Sequence, residues 1–189
     1  VPSNTYIATW LSIDRSGASI VPVEPNKKTF NIDPQFIESK ISKKTKAIMV
    51  VHLYGQPVDI NPIKKIAKKY NLFLIEDAAE AHGSEINLKR VGSFSDIACF
   101  SFYANKTITS GEGGMLVTNN KKYEQLLKLY RNVGFTKKRF VHNVAAYNFR
   151  YTAMQAAFCY SQFNRIDKTI KRKIEIAEKY KFHLKDVDE

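Results

Sequence analysis

The chain has 189 residues, of which 44% are hydrophobic, and 30 lysines and arginines against 18 aspartates and glutamates give it a formal net charge of +12. This composition excludes a disordered tail, a collagen-like fibre and a disulfide-stapled miniprotein, since apolar residues suffice for a core and the cysteines are Cys99 and Cys159. No run approaches the roughly 18 apolar residues of a membrane helix, and no secretory signal pattern opens the sequence. We expect a folded domain with reduced thiols, cytoplasmic and without a membrane partner.

The two ends of the sequence are typical of a piece cut from a longer protein. The opening VPSNT at residues 1–5 has the composition of a loop that follows a strand. Residues 177–186 are still in helical register where the sequence stops. We therefore expect the chain to be a fragment.

Short apolar runs alternate with longer amphipathic stretches, a pattern typical of a parallel sheet with crossover helices. Aspartate or asparagine followed by proline predicts a helix start, with the first residue as cap and the proline in the first turn. In the first half of the chain we predict a strand over 19–23, a helix begun by Asp33 and Pro34 and reaching about Ile41, a strand over 45–53, and a helix over 63–70 begun by Asn61 and Pro62.

The second half continues the same alternation. It predicts strands over 72–75, 97–102 and 115–118, helices over 121–131, 152–163 and 167–186, and a basic, aromatic loop over 132–148. We therefore expect one α/β domain, with a mostly parallel central sheet and flanking helices.

Candidate functional residues follow two of the predicted strands. In open α/β sheets, ligands bind beyond the carboxyl ends of the strands. Asp77 follows the strand over 72–75, and Ser101 and Lys106 lie at the end of the strand over 97–102 or soon after it. If these strands are neighbours, an acid and an amine converge on one pocket. Each residue alone also fits a purely structural role: Lys106 could be a solvated surface lysine, and Asp77 could be a helix-capping acid.

This acid and amine suit one particular chemistry. A lysine amine can form a Schiff base with a carbonyl, and an acid across the pocket can hold a protonated ring nitrogen. A Schiff-base lysine and an acid beside the ring nitrogen are the groups that a protein contributes to pyridoxal phosphate chemistry. Ser101 would be available to bind the cofactor phosphate.

Several motifs in register extend this interpretation to the whole chain. The motifs are EDAAEAHG at 76–83, SFYANKTITSGEGGM at 101–115, PSNTYIAT at 2–9, VHLYGQP at 51–57, YNFR at 147–150 and QAA at 155–157. In these motifs the sequence resembles the sugar-nucleotide aminotransferases of the DegT/DnrJ/EryC1/StrS family, and the likeness implies the large domain of a fold-type I pyridoxal phosphate aminotransferase.

The resemblance implies a role for each matching residue. Lys106 would be the Schiff-base lysine and proton shuttle, Asp77 the partner of the pyridine nitrogen, and Ser101 a ligand of the cofactor phosphate. Glu80 would lie beside the ring or its hydroxyl, where many relatives have glutamine, and Tyr6 would stack on the ring.

The resemblance also implies an assembly and a domain division. Asn148 matches an asparagine that reaches the cofactor phosphate of the neighbouring subunit, so a homodimer is implied. Residues 1–163 would form the cofactor-binding large domain, with its N-terminal part missing. Residues 164–189 would form a long helix leading to a small C-terminal domain that is absent.

Glu80 and the run around Lys106 look most like the perosamine-synthase branch of the family. This likeness implies transfer of an amino group from glutamate to C4 of a nucleotide-linked 4-keto-6-deoxyhexose, in the biosynthesis of surface-glycan or O-antigen sugars. Branches that aminate C3 share the VPSNTYIATWLS opening, so C3 remains an alternative. Lys106 argues against the related dehydratase branch, which has histidine at that position.

Two other classes of function compete with an aminotransferase. The net charge of +12 could serve nucleic-acid binding, although no known reader module is legible and the cluster Lys137, Lys138 and Arg139 could equally attract a sugar-nucleotide diphosphate. The chain could also be an inactive remnant. Dehydrogenase, P-loop and zinc-helix motifs are absent from the sequence.

Overall fold

The computed structural model describes residues 1–136, 138 and 140–187. In these residues the helices are α1 (Ile7–Arg15), α2 (Pro34–Ile37), α3 (Ile60–Lys69), α4 (Lys121–Arg131), α5 (Ala153–Phe163) and α6 (Ile166–Leu184). The strands are β1 (Ala47–Val51), β2 (Phe73–Asp77), β3 (Glu85–Ile86), β4 (Lys89–Arg90), β5 (Ile97–Ser101) and β6 (Gly114–Val117). Short 3-10 turns cover Glu38–Lys40 and Leu53–Gly55. Among the described helices, none combines the length and apolarity needed to cross a membrane.

A four-stranded sheet in the order β1, β2, β5, β6 forms the centre of the molecule. The first three strands are parallel and β6 is antiparallel to β5, while β3 and β4 form a separate antiparallel ribbon. The expected α/β fold with a mostly parallel sheet is confirmed. Parallel pairing brings the carboxyl ends of β1, β2 and β5 to one edge.

The main core lies where α2 and α3 pack on β1 and β2. Helix α3 turns its apolar side chains to the sheet, and Ile60 and Ile63 are completely buried there. Their partners on the sheet include Val50 and Leu74. The lysines of α3 lie at other positions of the 3.6-residue period, as its sequence predicts.

Local signals predict most helix starts correctly. The Asp33 carboxylate accepts a hydrogen bond from the Gln35 backbone N–H, with Pro34 at the first helical position. The prediction that Asn61 caps α3 is wrong, because α3 begins at Ile60 with Asp59 as its N-cap. Pro62 then falls within the first helical turn, where its missing N–H would have no intrahelical partner.

At the N-terminal end one predicted element is wrong and one observed helix was not predicted. The predicted strand over 19–23 is wrong, since only Val23 pairs, by an isolated bridge to Pro2. Helix α1 was not predicted, because its N-cap, Tyr6, offers no side-chain capping bond to mark the start. Strands β1 and β5 are shorter than expected, and β2 runs on to include Asp77.

The C-terminal helices are much more exposed than α3. Helix α5 starts with a capping box, in which Thr152 and Gln155 satisfy each other's backbone N–H groups. Its one buried residue, Cys159, joins Phe102 and Ile108 in a small separate cluster. Helix α6 has no buried residue in the described chain, although Ile166 packs against that cluster.

Candidate active site

The carboxyl ends of β2 and β5 form the candidate site. Asp77, the last residue of β2, is paired with Val51 of β1 on one side and with Cys99 of β5 on the other. Lys106 follows β5 by five positions on the loop that leaves the same edge. The expectation that the two strands are neighbours is therefore met, and it places the acid and the amine at one edge of the sheet.

The Asp77 carboxylate is oriented by two donors. The Thr9 hydroxyl donates to Oδ2 at 2.7 Å, and the Ala79 backbone N–H donates to Oδ1 at 3.0 Å. Since an ionised carboxylate has about four acceptor positions, Asp77 keeps capacity for a further donor. Burial and the Asp77 charge raise the pKa of Cys99 to about 12, so this thiol stays protonated.

Lys106 and Glu80 form an ion pair in the lining of a small pocket. The Lys106 Nζ lies 3.3 Å from Glu80 Oε1, and the exposed fractions of the two side chains are 16% and 36%. The other oxygen, Oε2, accepts a hydrogen bond of 2.9 Å from the Tyr54 backbone N–H. The pocket has a volume of about 160 Å³, and Asn105, Thr107 and Lys173 complete its lining.

Buried residues on both sides hold the Lys106 loop in place. Phe102 and Ile108 are both buried in the cluster around Cys159. Gln162 of α5 bonds the Thr109 backbone twice, accepting from its N–H at 3.2 Å and donating to its carbonyl at 2.7 Å. The loop between these anchors presents Lys106 at a defined position.

The GEGG segment after this loop allows close packing at Gly113. Gly113 has a φ of +134°, and a Cβ there would collide with the ring of Tyr151. The Tyr151 hydroxyl donates a hydrogen bond to the Ser110 hydroxyl. Glycine is therefore required for both conformation and space at this position.

His82 lies behind Lys106 as a neutral ring. Burial and then the Lys106 charge lower its pKa to about 4. Its ring packs against Phe100 and Phe102, with centroid separations of 5.5 and 6.0 Å. Neither ring nitrogen makes a hydrogen bond of normal geometry in the described chain, although the Ser101 backbone is near enough to favour the protonated form slightly.

A second carboxylate, Glu76, lies one residue before Asp77 but faces the interior. It is fully buried and accepts from the Gly92 N–H at 2.8 Å, the Phe94 N–H at 3.0 Å and the Ser95 hydroxyl at 2.7 Å. Burial by itself would raise the pKa of Glu76, but His52, the Gly92 N–H and the Ser95 hydroxyl outweigh it and lower that pKa.

His52 completes this buried network. Its Nδ1 accepts from the Val58 backbone N–H at 3.2 Å, so its Nε2 carries the proton and donates to Glu76 Oε2 at 3.1 Å. The His52 backbone N–H also donates to the Asp77 carbonyl at 3.0 Å. The network thus fixes the strand end that carries Asp77.

The other sequence-predicted residues occupy different surroundings. Ser101 ends β5, and its hydroxyl accepts from the Tyr103 backbone N–H at 3.2 Å. Tyr6 is 77% exposed, and its carbonyl accepts from the N–H of Thr9. Asn148 is exposed, and its Oδ1 accepts from Arg150 Nε at 2.9 Å. In the described part of the chain, no hydrogen bond joins these three side chains to Lys106 or Asp77.

Sequence reasoning missed several residues that shape the site. Thr9, Tyr54, Gln162 and Lys173 act on it from distant segments. Thr9 and Tyr54 lie within the motifs at 2–9 and 51–57, whereas no motif contains Gln162 or Lys173. Of the cluster at 137–139, Lys137 and Arg139 lie outside the described residues.

Comparison with known proteins identifies the class. The family model described as "DegT/DnrJ/EryC1/StrS aminotransferase family" matches residues 1–189, and the chain belongs to that family. The resemblance seen in the sequence motifs is confirmed.

Two curated relatives show how similar the chain is to individual members. It is 46% identical over 185 residues to a GDP-perosamine synthase of Escherichia coli O157:H7, covering 97% of this chain and 51% of the relative. It is 48% identical over 187 residues to a dTDP-3-amino-3,6-dideoxy-alpha-D-galactopyranose transaminase of Aneurinibacillus thermoaerophilus, covering 98% and 51%. The chain thus spans about half the length of the curated relatives it matches.

Solved structures agree with the fold. DesV of S. venezuelae superposes with a TM-score of 0.95 at 36% identity, over 100% of this chain and 51% of that one. PseC of Helicobacter pylori, an aminotransferase of pseudoaminic acid biosynthesis, superposes with a TM-score of 0.92 at 34% identity, over 96% and 50%. The expected aminotransferase large-domain fold is confirmed.

Proposed function

We propose that this chain is the cofactor-binding part of a pyridoxal phosphate-dependent sugar-nucleotide aminotransferase. Residues 1–163 form the unit that binds the cofactor, and the long helix α6 (Ile166–Leu184) leads out of it. The observation that carries the proposal is that Asp77 ends β2 and Lys106 follows the adjacent parallel strand β5 at the same edge of the sheet, in a member of an aminotransferase family.

The residues at this edge fit pyridoxal phosphate by their chemistry. The Lys106 amine lines a pocket and remains partly accessible, as attachment to an aldehyde requires. The Asp77 carboxylate is fixed by two donors and has capacity left for a ring N–H. Acid and amine therefore offer the two contacts that the cofactor ring needs.

When bound, the cofactor would supply an electron sink for the electrons of a breaking C–H bond. Asp77, as a carboxylate, would hold the ring nitrogen in its protonated form. Lys106, as a free amine, would take the proton from one carbon and deliver it to another. Glu80, within 3.3 Å of Lys106, holds the amine over the pocket between these transfers.

Two further residues of this chain belong to the proposed cofactor site. Ser101 binds the cofactor phosphate, since its hydroxyl lies at the end of β5 beside the Lys106 loop. Tyr6 stacks on the ring, since its ring is exposed and its backbone is bonded to Thr9, the residue that contacts Asp77.

Asn148 reaches the phosphate of the neighbouring subunit in a homodimer. The rings on either side of it, Tyr147 and Phe149, are stacked with their centroids 4.8 Å apart and are 60% and 69% exposed. Exposed aromatic residues are enriched at protein interfaces, which supports a partner subunit covering this segment.

The proposed reaction transfers an amino group from glutamate to C4 of a nucleotide-linked 4-keto-6-deoxyhexose, a step in making surface-glycan or O-antigen sugars. Its support is the likeness to the GDP-perosamine synthases, at 46% and 43% identity for two of them. Amination at C3 is the second candidate, favoured by the likeness to the dTDP-3-amino-sugar transaminase at 48%.

The function is tested by cofactor binding and by product analysis. After unbound pyridoxal phosphate is removed by gel filtration, we expect the protein to retain a visible absorbance band, Lys106→Ala to lose it, and Lys173→Ala, which removes the other lysine of the pocket, to keep it. A protein that gives no band, or keeps it in Lys106→Ala, contradicts the proposal. With glutamate and a 4-ketohexose nucleotide, NMR should place the new nitrogen on C4, whereas nitrogen on C3 selects the second candidate.

A further inference from the structure

The Leu53–Gly55 turn has a strained backbone next to the Lys106 pocket. Tyr54, at its centre, has a φ of 50° and a ψ of 26°, in the left-handed region that residues other than glycine rarely adopt. Its side chain lines the pocket and is 87% exposed, so packing of the ring does not repay this conformation. Such strain persists only where the surrounding structure enforces it, and it is common at functional sites. The turn is therefore held by contacts from other segments.

The Asn31 side chain bonds both ends of this turn. Its Nδ2 donates to the Gln56 carbonyl at 3.0 Å, and its Oδ1 accepts from the Leu53 backbone N–H at 3.1 Å. Asn31 is only 3% exposed, although asparagine is a polar residue that is usually found at the surface. Since one amide supplies both a donor and an acceptor, an apolar residue at this position could replace neither bond.

The turn also packs against the segment that carries Glu80. Gly55 has a φ of +82°, and a Cβ there would lie 3.0 Å from the Glu80 carbonyl oxygen. The Ser84 hydroxyl donates to the Gly55 carbonyl at 2.7 Å. With the turn held in this way, the Tyr54 backbone N–H donates to Glu80 Oε2 at 2.9 Å.

Glu80 connects the turn to the Lys106 amine. One of its oxygens accepts from the Tyr54 N–H, and the other lies 3.3 Å from Lys106 Nζ. A partly exposed glutamate has several staggered rotamers, and a charge-assisted hydrogen bond from a fixed backbone N–H favours one of them. The position of the turn thus decides where the second oxygen meets the amine.

We propose that Asn31 is a positioning residue for Lys106, acting through the Leu53–Gly55 turn and Glu80. The inference rests on the proposed function, in which Lys106 is the reacting amine. Asn31 does not line the pocket, and its role is to hold the turn whose Tyr54 N–H orients Glu80. Small displacements of a reacting group have large effects on rate, so a residue that acts at this distance can matter for the reaction.

The test measures how fast pyridoxal phosphate attaches to Lys106, trapped by borohydride and counted by mass mapping relative to Lys173 in the same pocket. Asn31→Ala should slow attachment at Lys106 about tenfold, because the released turn no longer orients Glu80. Hydrogen exchange of the Tyr54 N–H should become about tenfold faster in the same variant. Asn31→Asp keeps the acceptor for the Leu53 N–H, so it should slow attachment only about threefold and gives a reading even where alanine is not tolerated.

Two further variants separate positioning from general destabilisation. Asp96→Ala is the matched control, because its carboxylate accepts from the Leu74 N–H at 2.9 Å near the opposite end of β2. We expect it to lower the urea midpoint without changing the attachment rate at Lys106. In a Glu80→Ala background, adding Asn31→Ala should have no further effect on attachment, because the connection through Glu80 is already broken.

Three outcomes overturn the inference. They are an unchanged attachment rate in both Asn31 variants, an equal slowing in Asp96→Ala, and independent, additive effects of Asn31→Ala and Glu80→Ala. A parent protein in which pyridoxal phosphate shows no preference for Lys106 over Lys173 contradicts the proposed function, and the inference fails with it. A retained preference together with any of the three outcomes removes the role of Asn31 alone.

Discussion

Two pairs in this molecule, each of a carboxylate and a basic side chain, have nearly the same separation but very different surroundings. Glu76 and His52 lie 3.1 Å apart and are both 0% exposed, whereas Glu80 and Lys106 lie 3.3 Å apart and are 36% and 16% exposed. The buried carboxylate takes four hydrogen bonds from the protein, and the other takes one from a backbone N–H beside its contact with Lys106.

The difference separates a structural pair from a reactive one. A carboxylate saturated by fixed donors has no capacity left for a substrate, and its role is to hold β1, β2 and the segment at 92–95 together. Lys106 is partly exposed, and Glu80 accepts few hydrogen bonds, so the Lys106 amine can exchange its contact with Glu80 for a contact with a ligand. The sequence places Glu76 and Asp77 side by side, and strand alternation sends them to opposite faces.

The largest expected effect is on stability, and Glu76→Ala measures it. This change leaves the Gly92 and Phe94 N–H groups and the Ser95 hydroxyl without their acceptor, so we expect a loss of about 3–5 kcal/mol in the free energy of unfolding. Glu80→Ala is the matched control and should cost about 1 kcal/mol or less. Urea unfolding of both variants checks the comparison, and equal losses would remove the distinction between the pairs.

A pH profile sharpens the same comparison. The pKa of Glu76 is lowered in the folded protein from its ordinary value of 4.5, so its ionised form contributes stability above that value. That contribution should disappear as the pH falls below 4.5 and through the folded pKa. The unfolding free energies of the parent and Glu76→Gln should converge as the pH falls through this range, and a constant difference would contradict the assignment.

His82 provides a smaller effect of pH next to the reactive pair. Its pKa falls from 6.5 to about 4 on folding, so between these values the unfolded chain binds the proton and the folded one does not. Stability should therefore decrease as the pH drops from 6.5 towards 4, and His82→Phe should flatten this slope. NMR titration of the imidazole should give a pKa of about 4, whereas an unshifted value would show that the ring is not buried beside Lys106.

The smallest expected effect concerns the donor that orients Asp77. Thr9→Val keeps the shape of the side chain but removes the 2.7 Å hydrogen bond to Oδ2, and we expect a loss of about 1 kcal/mol in urea unfolding. Thr9→Ser keeps the hydroxyl and serves as the control. Equal stability of Thr9→Val and the parent would show that the bond does not hold Asp77.

Local signals in the sequence predict much of the fold. Helix α4 covers Lys121–Arg131 as predicted, because the Asn120 side chain caps it within three residues of its own position. The parallel strands were also predicted, from their apolar runs. The strand over 19–23 failed because an apolar run alone does not provide a neighbouring strand to pair with.

The candidate site was predictable only in part. Asp77 and Lys106 were found because both follow apolar strands, which is a local pattern. Thr9 lies 68 residues from Asp77 in sequence and Gln162 lies 53 from Thr109, so their contacts depend on tertiary packing that no short motif encodes.

The most direct measurement of the central claim is the site of covalent attachment. The protein is incubated with pyridoxal phosphate, reduced with borohydride, digested and mapped by mass spectrometry. We expect the reduced cofactor on the peptide that contains Lys106. Its attachment to Lys173, the other lysine of the same pocket, or to surface lysines in general would contradict the account.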